Sequence, residues 1–172
     1  MLPFFTVLTA IDIDLQPYTI YSYIIEATNA FGSVRSAPIS FRTPAGAPYG
    51  TVVLNATNIQ SKSAHFLWNA PRVMNGPLWK YSLYSLNADN KTTTHWEGQD
   101  LEVTLQSLIP FTRYTFYVNT CTSEGCLKSE PLSFPTMSAV PEGMGAPVVL
   151  AVNNTALNIS WLPPSFPNGL FT

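Results

Sequence analysis

Apolar and polar positions alternate with a period of two along most of the chain, and that period predicts strands. Tyr114, Phe116 and Val118 alternate with Thr115, Tyr117 and Asn119. Phe66 and Trp68 share a face, as do Leu157, Ile159 and Trp161, and as do Tyr21, Tyr23, Ile25 and Ala27. Val103 and Leu105 predict one more strand, whereas Ala10 and Asp12, the matching positions one repeat earlier, do not, so residues 1–14 fit the pattern badly. The segments are short and separated by Pro, Gly and Asn clusters, and none carries a 3.6-residue period. Fifteen prolines against nine glycines also disfavour long helices, because proline removes a backbone donor. The expectation is an all-β antiparallel sandwich.

The chain repeats itself. Leu15, Pro17, Thr19 and Tyr21 recur as Leu108, Pro110, Thr112 and Tyr114; Trp68 recurs as Trp161, and Asn75-Gly76 as Asn168-Gly169. Every pair is 93 residues apart, a spacing of one sandwich domain. Leu-x-Pro-x-Thr-x-Tyr, a Trp on the second strand and a Pro-x-x-x-Asn-Gly turn before a Tyr-bearing strand together resemble the fibronectin type III repeat. That resemblance implies a seven-stranded immunoglobulin-like sandwich. In it Trp68, Leu108, Pro110 and Tyr114, with Tyr21 and Trp161 in the other copies, build the core and its corner rather than a site. It also divides the chain: 1–44 as the C-terminal part of one repeat, 45–137 as a complete repeat, and 138–172 as the N-terminal part of a third. Linkers fall at Thr43 to Pro48 and at Thr136 to Pro147. Trp161 and Tyr21 would lack their facing strands, so only 45–137 is expected to fold on its own.

Cys121 and Cys126 flank Thr122-Ser123-Glu124-Gly125, the expected turn between the last two strands, and hairpin geometry brings such residues within disulfide reach. So short a loop is worth only about 2 kcal/mol in chain entropy, enough to stiffen a tip but not to hold a domain. Zinc is disfavoured without a further His or Cys pair, and a redox motif has two intervening residues, not four. Sequons begin at Asn55, Asn90, Asn153 and Asn158. Asn158 is expected to point outward, since Ile159 beside it points in. Sugar would suit a chain with only 10% charged residues, against the usual quarter. Sequons and a disulfide together indicate an oxidising, extracellular compartment.

A net charge of −2 without any basic run excludes a nucleic-acid reader, and no apolar stretch is long enough to span a bilayer. Met1 to Phe5 is apolar but lacks a positive flank and contains Pro3, so a secreted form would take its signal from upstream in a longer parent. No nucleophile elbow or phosphate loop is present. His65 on an outward face and His95 in a polar loop match no metal pattern, and Asp12 and Asp14 read as solvated charges at a corner. Neither catalysis nor a cofactor is expected. An interaction surface, if present, is expected at the stiffened tip (Thr122, Ser123, Glu124, Gly125) or at an outward aromatic pair, Trp79 and Tyr84, on the third strand. The plainer reading of Trp79 is packing against a neighbouring repeat or lying under glycan.

The Cys-x4-Cys hairpin, with Ser-Glu-Pro after it and Trp-Leu-Pro-Pro-Ser-x-Pro-Asn-Gly at 161–169, resembles the long fibronectin type III arrays of very large sensory-cell ectodomains. This finer resemblance implies adhesion or spacing at stereociliary links, photoreceptor periciliary membrane or basement membrane. Its implied partners are neighbouring repeats, other link proteins and matrix proteins such as collagen IV or fibronectin. The competing classes are a ligand-binding segment of a signalling receptor and a spacer in a carbohydrate-active enzyme.

Overall fold

The structure, a computed structural model, describes residues 9–87 and 91–170. Among the described residues there are fourteen strands and no helix. The first four are β1 (Ile20–Tyr23), β2 (Glu26–Asn29), β3 (Gly32–Arg35) and β4 (Ile39–Arg42). Eight follow: β5 (Leu54–Thr57), β6 (Ala64–Trp68), β7 (Lys80–Leu86), β8 (Thr92–Gly98), β9 (Glu102–Leu105), β10 (Arg113–Thr122), β11 (Gly125–Lys128) and β12 (Leu132–Pro135). The last two are β13 (Val148–Asn153) and β14 (Ala156–Ser160). Spatially the chain forms two compact units, one of Met1–Gly50, Pro71–Lys80 and Thr120–Leu127, the other of Thr51–Ala70, Tyr81–Asn119 and Lys128–Thr172.

In the second unit the antiparallel sheet β5-β6-β9 lies in register through Leu54 opposite Trp68 and Phe66 opposite Val103. A five-stranded sheet runs β11-β10-β7-β8, with β12 also on β10. Alternation decides which side chains fill the space between them. Ala64, Phe66 and Trp68 of β6 are buried, as are Phe116 and Val118 of β10, while their neighbours in sequence are less covered. Phe66 meets Phe116 edge-on with ring centroids 4.5 Å apart, and Phe134 of β12 stacks on Phe116 at 5.7 Å. Trp68 is closed in by Tyr81 at 5.8 Å and Trp96 at 5.6 Å. Offset and edge-on pairs of this kind add to area burial.

The 93-residue spacing is written into the polar bonds as well. Tyr114 Oη accepts the Ile109 amide at 3.0 Å, and Tyr21 Oη accepts the Gln16 amide at 2.8 Å. The Thr112 amide donates to Thr136 Oγ1, and the Thr19 amide to Thr43 Oγ1, each at 3.0 Å. Tyr18 and Phe111, which open these corners, take positive φ angles of 51° and 49°. The strands that follow differ, however. β10 runs unbroken for ten residues, hydrogen-bonded along both edges, whereas among the described residues β1 has β4 and β2 has β3 as its one partner. Of the strand expected through Tyr21, Tyr23, Ile25 and Ala27, two short pieces form, with a break at residues 24–25. No strand forms over residues 9–14.

β13 and β14 pair from Val148 opposite Ser160 to Asn153 opposite Ala156, yet every residue of both is exposed. Ile159 is therefore as open to water as Asn158, against the expectation that Ile159 points inward. Trp161 is 63% exposed where Trp68 is 5%. Truncating these two tryptophans should separate them cleanly. Trp68→Ala is expected to cost about 3–5 kcal/mol through lost transfer energy and a cavity, and Trp161→Ala to stay within about 0.5 kcal/mol. Urea unfolding followed through the remaining tryptophans checks both values.

Candidate functional site

The tip is a hairpin made by the end of β10, the exposed Ser123 and Glu124, and β11. Cys121 and Cys126 are disulfide-bonded across it, with Cα atoms 4.0 Å apart. Gly125 has φ +156°, and a Cβ there would stand 3.0 Å from that of Ala47, so glycine is required at that point of the turn. The Trp79 amide donates to Cys121 O at 2.8 Å and ties the hairpin to the residue just before β7. Trp79 itself is 60% exposed, with the Lys80 ammonium 4.8 Å from its ring centroid. Pro77, Leu78, Trp79 and Ser123 line a shallow hollow here.

Two of the residues expected at the surface are not there. Thr122 is buried: its hydroxyl donates to Gly46 O at 2.9 Å and receives the Glu124 amide at 3.3 Å, so it closes the turn from within. Tyr84 is buried too, at 7% exposure. All of Tyr81 to Ser85 is covered on both faces, because β7 lies inside its sheet. Tyr84 stacks on Tyr117 at 5.6 Å, and the Lys128 ammonium sits 3.7 Å from the Tyr117 ring and 5.7 Å from that of Tyr84. A lysine ammonium over two aromatic rings covers a face that alternation marks as outward. The register shift between Leu83 and Tyr84 interrupts that alternation further.

His95 lies on β8, not in a polar loop. Its Nε2 is 2.8 Å from Ser85 Oγ, and its ring sits 5.3 Å from Phe116 and edge-on to Tyr114 at 6.4 Å. Burial holds it below its ordinary pKa of 6.5. His65 Nδ1 lies 3.0 Å from Thr104 Oγ1. Asp12 Oδ2 accepts the Tyr23 hydroxyl at 2.9 Å, which holds that phenol above its ordinary pKa. Among the described residues no group of three His, Cys, Asp or Glu could hold a metal, and no helix is long and apolar enough to cross a membrane. Asn55, Asn153 and Asn158 are exposed; Asn90 lies outside the described residues.

A sequence model of the fibronectin type III domain matches residues 47–135. The chain belongs to the fibronectin type III family. It is 37% identical to human usherin over 162 residues, which is 93% of this chain and 3% of usherin. It is 29% identical to the Drosophila melanogaster cell adhesion molecule Dscam1 over 174 residues, 92% of this chain and 8% of that protein. The chain thus spans a small part of the curated relatives it matches. Domains d3–d4 of the rat CD45 extracellular region share the fold with a TM-score of 0.65 at 22% identity, over 79% of this chain and 74% of that one.

Fibronectin type III domains are structural modules rather than catalytic ones, and the tip shows how one position serves that role with two chemistries. Thr28 and Ser33 stand 93 residues before Cys121 and Cys126, and their hydroxyls hydrogen-bond at 2.7 Å across the β2–β3 hairpin. Gly32 matches Gly125 in its place after the turn, with φ +150°. Nothing in the expected motif set marked this pair, although the same spacing points directly to it. Replacing Cys121→Thr and Cys126→Ser together should cost no more than about 2 kcal/mol and leave the β10–β11 amides partly protected. Denaturation and amide exchange measure both, and wholesale unfolding would contradict a local role for the bond.

The position of His95 sets a pH dependence. Its folded pKa is lowered, so below pH 6.5 the unfolded chain takes up a proton that the folded one resists. Stability should be level above that pH and fall as the pH drops beneath it. Urea midpoints at successive pH values should show this slope, and His95→Asn should flatten it.

Proposed function

We propose that the chain is a non-catalytic spacer and adhesion segment of a large extracellular array, with 45–137 as its one complete repeat, seven-stranded when β11 and β12, both on β10, count as two stretches of its last strand, and 1–44 and 138–172 as parts of adjoining ones. The observation that carries this reading is the 93-residue recurrence of corner, pin and turn, which only an array of stacked domains requires. The exposure of β13, β14 and Trp161 beside the closed core around Trp68 supports the division into one complete and two partial copies. The Cys121–Cys126 bond and the exposed Asn55, Asn153 and Asn158 support an oxidising compartment and glycan attachment, and Asn90 is proposed with them.

Likeness to usherin extends the proposal to the surfaces of sensory cells: stereocilia, the photoreceptor periciliary region or basement membrane. The proposed partners there are link proteins or matrix proteins such as collagen IV or fibronectin. Trp79, Ser123, Glu124 and Gly125 are the proposed contact residues, because the disulfide and the Trp79–Cys121 bond hold them in one conformation and lower the entropy lost on binding. A second reading, a ligand-binding segment of a signalling receptor ectodomain, would use the same tip.

Peptide mass spectrometry of the protein from native tissue, with and without reductant and glycosidase, tests the compartment. A Cys121–Cys126 peptide and sugar on Asn55 or Asn153 are expected. Free thiols with bare asparagines would overturn the extracellular reading. Retention on collagen IV or fibronectin surfaces should fall in Trp79→Ala at unchanged stability; equal retention removes Trp79 from the contact.

A further inference from the structure

The linker 43–48 is Thr-Pro-Ala-Gly-Ala-Pro, a composition that gives little side-chain packing, and Pro44 and Pro48 have no amide to donate. Its backbone is nevertheless held almost residue by residue. Pro44 O accepts the Tyr18 amide at 2.9 Å, Gly46 O accepts the Thr122 hydroxyl at 2.9 Å, and Ala47 O accepts Asn75 Nδ2 at 2.8 Å. The Gly46 amide donates back to Asn75 O at 2.8 Å. Asn75 therefore grips the linker with both its carbonyl and its side chain. It does so with φ +57°, a left-handed conformation that Asn tolerates better than most residues. Gly76 follows because a Cβ there would come within 2.8 Å of that of Ala45.

The second linker is gripped in the same way. Ala139 N donates to Asn168 O at 2.8 Å, Asn168 Nδ2 donates to Val140 O at 2.8 Å, and Asn168 has φ +54°. Met137 O accepts the Phe111 amide at 3.0 Å, as Pro44 O accepts that of Tyr18. Yet Pro44, Ala45, Gly46 and Ala47 match Met137, Ser138, Ala139 and Val140, which differ at every position. The linker side chains change while the threonine that opens it and the Asn-Gly turn that grips it do not: Thr43 and Thr136, Asn75-Gly76 and Asn168-Gly169.

We propose that the Asn-Gly turn of each repeat is a clasp that passes the chain from one repeat to the next in a single conformation. Thr43 or Thr136 pins the start of the linker, and Asn75 or Asn168 pins its end. Asn75 and Asn168 are positioning residues, and the order of an array depends on them rather than on linker composition. The inference rests on the array reading of the preceding section. Its test is made in solution on the full chain, so it can fail while the compartment assignment stands, and the reverse.

The test is amide exchange by NMR in Asn75→Asp, which keeps the size and the left-handed tolerance but sets an acceptor against Ala47 O. Exchange of the Gly46 amide should quicken by about tenfold, the worth of roughly one net hydrogen bond. The amides of Ala139 and of Phe66 should be unchanged. Asn168→Asp should reverse the pattern, quickening Ala139 and sparing Gly46. Asn75→Gly, which lacks the side-chain donor but suits the turn, supplies the same comparison if the aspartate variant folds poorly, with a smaller acceleration at Gly46. Unaltered exchange at Gly46 in these variants overturns the clasp, as does acceleration that appears equally at Phe66.

Discussion

The edge-on contact between Phe66 and Phe116 joins the β5-β6-β9 sheet to the sheet that holds β10, and the order of the domain depends on that closure. Strands expose one apolar face each, and the face is stable only when a second sheet takes it out of water. Where this happens, Phe66, Phe116 and Val118 are wholly buried and Trp68 is enclosed by Tyr81 and Trp96. Where it does not, the same pattern gives a different outcome: Leu157, Ile159 and Trp161 alternate just as Phe66 and Trp68 do, and all three are exposed. Pattern specifies the strand, but its partner decides whether the strand has an inside.

That distinction explains what could be read from the residues alone. The strands around Trp68 and Tyr114, the two corners and the Asn-Gly turns were legible because each is a local signal repeated at 93 residues. Tyr84 was not, since its cover comes from Tyr117 and Lys128, on β10 and β11. A rule that assigns alternate residues to opposite faces cannot see a lysine ammonium set over the outer one. Thr122 was missed for a related reason: a hydroxyl in a turn sequence reads as solvent-facing, but this one bonds Gly46 O in the linker. His95 sits among Tyr114 and Phe116 because β8 extends from Thr92, through a stretch whose three threonines read as a loop.

The polar repetition changes how the hairpin tip is understood. Thr28 and Ser33 join one hairpin with a hydrogen bond where Cys121 and Cys126 join the next with a covalent one. Both follow the turn with a glycine at positive φ, Gly32 and Gly125. A neutral hydrogen bond at an exposed tip contributes about 1 kcal/mol and the short disulfide loop about 2 kcal/mol. The difference is small beside the cost of opening the core around Trp68. The tip can therefore change its cross-link from one copy of the motif to the next without endangering the sandwich.

The linkers reverse that logic. There the side chains vary and the hydrogen bonds persist: Gly46 and Ala139 differ, yet both amides reach the carbonyl of an Asn in the left-handed region. Backbone groups are present at every residue, so a device that reads them alone tolerates any linker sequence, including the proline at position 44, whose carbonyl is used and whose missing amide is not needed. The residues that grip are less free to change. Asn75 must supply a carbonyl, a side-chain donor and tolerance of positive φ together, and few residues other than asparagine meet all three demands.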